Sequence, residues 1–148
     1  MSTTRWLAAA AGAAVLVACA ASRPRPIAFG TEACSHCHMT IADPRYAAVL
    51  LTTTGKTIAF DDPGCLLSYL AGGAIAADRV QGVWFHSFLE PDSVYPATQV
   101  RLVRSDTLRT PMASGLAVAH DGPGVAELER LVGGRGRSWD EMRAEAAQ

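Results

Sequence analysis

An eleven-residue stretch occurs twice, sixty positions apart, and any fold for this chain must accommodate both copies. From Thr54 to Gly64 it reads Thr-Gly-Lys-Thr-Ile-Ala-Phe-Asp-Asp-Pro-Gly; from Ser114 to Gly124 it reads Ser-Gly-Leu-Ala-Val-Ala-His-Asp-Gly-Pro-Gly. Gly, Ala, Asp, Pro and Gly coincide in register, and each copy leads into a short helical pattern closed by a glycine pair, Gly72-Gly73 and Gly133-Gly134. Self-similarity at a fixed spacing marks a structural unit used more than once.

The unit has a direct physical reading. Gly55 and Gly115 suit the positive φ of a hairpin turn, and the alternating residues after them read as a strand. Asp62 is a good helix N-cap with Pro63 behind it at the first helical position. Leu66, Leu67 and Leu70 then line one face, and Gly72 ends the helix. In the second copy Val125, Leu128, Leu131 and Val132 form the apolar face, with Glu127 and Glu129 directed outward. Tyr46 to Thr53, Val80 to Phe85 and Val100 to Val103 read as further strands, and Arg135 to Trp139 as a weak one. Trp139 to Ala147 reads as a terminal helix. The expected fold is therefore α+β, two tandem ββαβ units after a signal peptide and a short tether.

The N-terminus sets the expected compartment. Arg5 precedes an uncharged apolar run from Trp6 to Val17, long enough for a signal sequence and too short to span a bilayer. It ends at Leu16-Val17-Ala18-Cys19, a lipobox pattern with cleavage before Cys19 and lipid on its sulfur. Residues 1–18 are then a lipoprotein signal peptide, and residues 19–30 the lipidated N-terminus and tether. Residues 31–90 make the first unit, with its cysteine motif, and residues 91–148 the second unit and C-terminal helix. The protein is expected on a membrane, facing the periplasm from the outer membrane. The formal charge of −1 leaves no basic patch, so nucleic acid is not an expected partner.

Of four cysteines, Cys34, Cys37 and Cys65 remain once Cys19 is set aside. An odd number outside the cytoplasm points away from a pure disulfide framework and towards a metal, a free thiol or a partner. Cys34-Ser35-His36-Cys37-His38-Met39 concentrates thiol, imidazole and thioether, and thiolate with thioether selects Cu(I). Cys65, in the first turn of the first helix, is either a thiolate favoured by the helix dipole or a small core residue. Met112 lies in the turn Thr110-Pro111-Met112, as a ligand or as core. The same letters leave other readings open. Cys34, Cys37 and His38 spell the attachment pattern for c-type haem, with Met112 as a distal ligand. The C-x-x-C pair alone permits a thiol–disulfide oxidoreductase. Cys34, Cys37, His38 and Cys65 could hold structural zinc. His86 and His120 read as structural, and Asp61 and Asp121 as turn or capping residues.

The set Cys-x-x-Cys-x-Met, Ala47 to Leu51, Phe60-Asp61-Asp62-Pro63-Gly64-Cys65, Tyr69 and Thr110-Pro111-Met112 resembles the NosL family, over nearly the whole mature chain. Those proteins are copper-binding lipoproteins associated with maturation of nitrous oxide reductase. The resemblance implies two small ββαβ units, Cu(I) as the metal, and Cys34, Cys37, Met39 and Met112 as ligands. Cys65 and His38 are possible additional ligands. It further implies apo nitrous oxide reductase and a membrane ABC-type maturation complex as partners, and no catalysis. The chain departs from the family at Ala113, where glycine usually follows Thr-Pro-Met.

Overall fold

The computed structural model describes residues 23–148; the expected signal peptide and Cys19 lie outside the described residues. Both repeats fold to one plan. β1 (Ala48–Thr52) turns through Gly55, at φ +82°, into β2 (Thr57–Phe60), and the two pair antiparallel from Ala48↔Phe60 to Leu51↔Thr57. The Asp62 carboxylate then accepts the Gly64 N–H and starts α1 (Pro63–Ala71), which ends at Gly72. β3 (Val80–His86) returns along the free edge of β1. A short β4 (Val94–Pro96) extends that sheet to the order β2-β1-β3-β4.

The second copy repeats the path. β5 (Val100–Arg104), β6 (Leu116–His120), α2 (Pro123–Val132) and the two-residue β7 (Gly136–Arg137) give the order β6-β5-β7, which matches β2-β1-β3. α3 (Trp139–Ala146) follows, opened by a capping box between Ser138 and Glu141. The mixed fold of two antiparallel sheets with helices is the one the sequence implies.

The two sheets share a core. Alternation along β5 and β6 sends Val100, Leu102, Leu116 and Val118 into the larger cluster with Phe60, Leu66 and Phe85 of the first copy. Val103, Ala117 and Ala119 face the other way, onto Leu128 and Val132 of α2. α3 closes the larger cluster with Trp139, whose ring meets Phe85 edge-on, and with Met142. The backbone also stitches the halves, since the Phe88 N–H donates to Val118 O.

The structure departs from the sequence reading in four places. Gly115 is not the tip of a tight hairpin, because β5 and β6 are joined by residues 105–115; it closes that long loop at φ +65°. Leu131 is 53% exposed: at 100° per residue it lies about 120° around the helix from Val125, off the stripe that Leu128 and Val132 occupy. Glu129 is not free in solvent, since it accepts the Gly136 N–H and so anchors β7. Residues 25–30, read as part of a tether, lie against the first sheet. Ile27 is buried, the Arg25 N–H reaches Thr57 Oγ1, and the Arg25 side chain pairs with Glu32.

The two equivalent turn glycines differ in their surroundings. A Cβ on Gly55 meets nothing within 4 Å, whereas one on Gly115 would sit 2.6 Å from Ser105 O. In urea denaturation Gly55→Ala should therefore lose about 1–2 kcal/mol, the left-handed backbone cost alone. Gly115→Ala should lose clearly more, because the backbone must also shift. Equal losses would contradict this packing.

Candidate metal centre

Two local structures build the site. The first is a miniature hairpin, opened at Gly30 with φ +81° and held by Gly30 N–H to Ile41 O, Ile41 N–H to Glu32 O and Cys34 N–H to Met39 O. Cys34 to His38 form its tip, where the His38 N–H turns back to Cys34 O and His38 itself takes φ +64°. The Ser35 N–H donates to Ala59 O and so ties the tip to β2. The second is the junction of β2 and α1. Asp61 leaves the end of the strand, Asp62 caps the helix, and Cys65 is the third residue of that helix.

These pieces bring Cys34, Cys37, Asp61 and Cys65 together, with their donor atoms all within 4.8 Å of one another. Cys34, Cys65 and Asp61 are buried, and Cys37 is half-buried. The Cys37 thiol donates to both Asp61 carboxylate oxygens, at 3.4 and 3.5 Å. Two sulfurs bound to one ion at about 2.3 Å each are separated by no more than about 4.6 Å, so a small contraction lets this set close on a single cation. No disulfide joins Cys34, Cys37 or Cys65. Burial pushes the Cys34 thiol above its ordinary pKa. The Cys65 thiol is pushed up further, first by burial and then by the facing Cys34 and Asp61. Of the two readings open for Cys65, the buried core residue holds and the helix-dipole thiolate does not: desolvation among groups of like charge outweighs the dipole. The paired thiols hold their protons until a cation compensates the charge.

The long β5–β6 loop flanks the cluster. The Met112 N–H donates to Asp62 Oδ2 at 3.1 Å, and Gly64 lies so close to Ser114 that a Cβ there would be 2.5 Å from the Ser114 Cβ. The Met112 segment is thereby fixed to the first turn of α1, the turn that carries Cys65. Met39 and Met112 themselves are exposed, at 61% and 45%. The odd Ala113 has a conformational meaning, since its φ is +56° within a turn closed by Ala113 N–H to Thr110 O. Glycine would sit there without the left-handed penalty.

Of the residues read as ligands, Cys34, Cys37 and Cys65 converge, Met39 and Met112 stand on the two flanking loops, and His38 points to solvent. Asp61 was missed, having been read as a turn or capping residue. Asp62 is the cap, and Asp61 continues the β2 alternation beneath Ala59, next to the hairpin tip. Asp121, its counterpart, pairs with Arg101 instead. His86 is structural as read, buried with Nδ1 against Pro91 O, and His120 stacks on Tyr95. The geometry disfavours the competing readings. Haem attachment requires both sulfurs to reach a porphyrin edge, and Cys34 is wholly buried. The C-x-x-C pair lies in a hairpin, without the strand-to-helix setting of thioredoxin-like exchange.

No family model matches the chain, and no curated protein sequence does. Among solved structures, the fold is similar to that of the copper chaperone NosL from Shewanella denitrificans, with a TM-score of 0.70. The match covers 81% of this chain and 95% of that one, at 19% identity. The chain has a NosL-like fold.

Burial and protonation set a thiol's reactivity. Among the described cysteines, brief treatment of the native apo protein with iodoacetamide at neutral pH should modify Cys37 alone, with Cys34 and Cys65 modified only after unfolding. Mass mapping of the alkylated peptides reads this directly; early labelling of Cys65 would contradict the buried arrangement.

Proposed function

We propose that the protein is a copper chaperone, which takes up Cu(I) at the Cys34–Cys37–Cys65 cluster and releases it to apo nitrous oxide reductase during copper-site assembly. The observation that carries the reading is the convergence of three thiols from two separate segments within a NosL-like fold. Cu(I) is soft, and sulfur is the donor that retains it against harder ions. Lipidation at Cys19, a position on the outer membrane facing the periplasm, and cooperation with a membrane ABC-type complex complete the proposal, resting on the lipobox pattern and the motif resemblance.

The same geometry accounts for release. Entry of the ion drives off thiol protons whose retention the buried site favours. Asp61, already the acceptor for the Cys37 thiol, holds that side chain towards the cluster. Cys37 is the half-exposed member, so exchange begins there. The exposed thioethers of Met39 and Met112 bind Cu(I) without ionising and without forming disulfides, which suits ligand-by-ligand transfer to a partner. Nothing in this sequence of exchanges is a turnover, and the protein acts as a carrier.

A second reading has one observation behind it. Three thiols and a carboxylate make a four-donor set, with Asp61 where the sequence had offered His38, and such sets also hold zinc. Anaerobic competition against a Cu(I) chelator and against a Zn(II) chelator separates the two. The chaperone reading predicts tight Cu(I) binding that Cys34→Ser or Cys65→Ser weakens by about a hundredfold or more, beyond the 10–100-fold typical of outer-sphere losses. Met39→Leu and Met112→Leu should slow transfer to metal-free nitrous oxide reductase more than they reduce affinity. Unchanged Cu(I) affinity in Cys65→Ser, or preferential retention of zinc, would overturn the assignment.

A further inference from the structure

On the face of the first sheet turned away from α1 lies an apolar groove of about 600 Å³, sharing no residue with the thiol cluster. Val49 of β1, Trp84 of β3 and Val94 of β4 form its floor, and Pro24, Ile27 and Phe29 form one wall. Phe29 and Val94 are two of the few large apolar side chains left exposed among the described residues. Clefts of several hundred Å³ with such a lining hold apolar ligands.

Where the chain enters identifies the occupant. Arg23, the first described residue, lies at the groove. The wall behind it is pinned, by Arg25 N–H to Thr57 Oγ1, by the Arg25–Glu32 ion pair and by Ala28 N–H to Glu32. Cys19 is four residues upstream, a span of at most about 14 Å when fully extended. That length puts whatever the Cys19 sulfur carries within reach of the groove. We infer that the groove is an acyl-chain site, in which one fatty chain of lipidated Cys19 folds back against Val49, Trp84 and Val94. The domain would then sit with this sheet face towards the membrane. The inference rests on the lipobox pattern and is independent of the copper reading.

Two forms of the mature chain test it. The Cys19→Ser form, in detergent-free buffer, is titrated with spin-labelled palmitate, and the immobilised fraction is read by electron paramagnetic resonance. The lipidated form, carrying a diazirine-bearing acyl chain at Cys19, is irradiated in phosphatidylglycerol-containing vesicles and its cross-links are mapped. Saturable binding by the first form is expected, weakened roughly tenfold or more by Val94→Glu in the floor, the scale of one lost apolar contact. Intramolecular cross-links to the peptides bearing Phe29, Trp84 and Val94 are expected in the second. Failure of the Cys19→Ser form to bind palmitate, binding indifferent to Val94→Glu, dimerisation of that form through the groove, or cross-links confined to lipid would each overturn the inference. Equal Cu(I) binding by the two forms keeps the result separate from the copper assignment.

Discussion

The Asp62 carboxylate is wholly buried, and its two oxygens hold the start of its own helix and a segment fifty residues further along the chain. One accepts the Gly64 N–H and sets the start of α1; the other accepts the Met112 N–H and fastens the β5–β6 loop of the second copy. A helix cap of this kind contributes about 0.5–2 kcal/mol, but its geometric consequence is larger. The cap fixes where Cys65 stands in the first turn, the direction in which Asp61 leaves β2, and the approach of the Met112 segment. Gly64 completes the contact by having no side chain where Ser114 packs. Without this junction the hairpin tip would face an unplaced helix end.

Duplication explains why there is one such centre and not two. The second copy keeps the strand order, the helix and the glycines, yet Gly122 stands where Asp62 caps and Val125 where Cys65 lies. Gly122 makes no side-chain cap bond, and Val125 packs on the small second core. Asp121, matching Asp61, is neutralised by Arg101. The second copy has in effect become a support: its sheet completes the main core, and its long loop supplies Met112 to the flank of the first copy's cluster. The added length between β5 and β6, absent between β1 and β2, is what lets that loop reach.

Much of the fold was legible because local signals agreed with one another. Gly55, Asp62 and Pro63 each predicted one event, and all three occur where the residue types require; α1 also ends at Gly72 as read, with Gly73 taking the left-handed φ of +69°. Cys34, Cys37 and Cys65 were readable as a set because thiols in odd number need an explanation. Asp61 was not readable, since its role depends on the hairpin tip folding onto β2 through Ser35 and Ala59, a tertiary contact with no sequence period. The choice between the two readings of Cys65 was undecidable for the same reason. A helix N-terminus is visible in sequence, but the burial that outweighs it is not. Leu131 shows the opposite error, an apolar residue placed on a face by spacing that the actual stripe is too narrow to include.

The central claim is that sulfur from the hairpin tip and from the first turn of α1 meets on one cuprous ion. X-ray absorption at the copper edge of the anaerobically loaded protein tests it most directly. The account predicts a first shell of sulfur that loses one scatterer in Cys65→Ser. A shell of nitrogen and oxygen, or a sulfur count indifferent to Cys65, would contradict it.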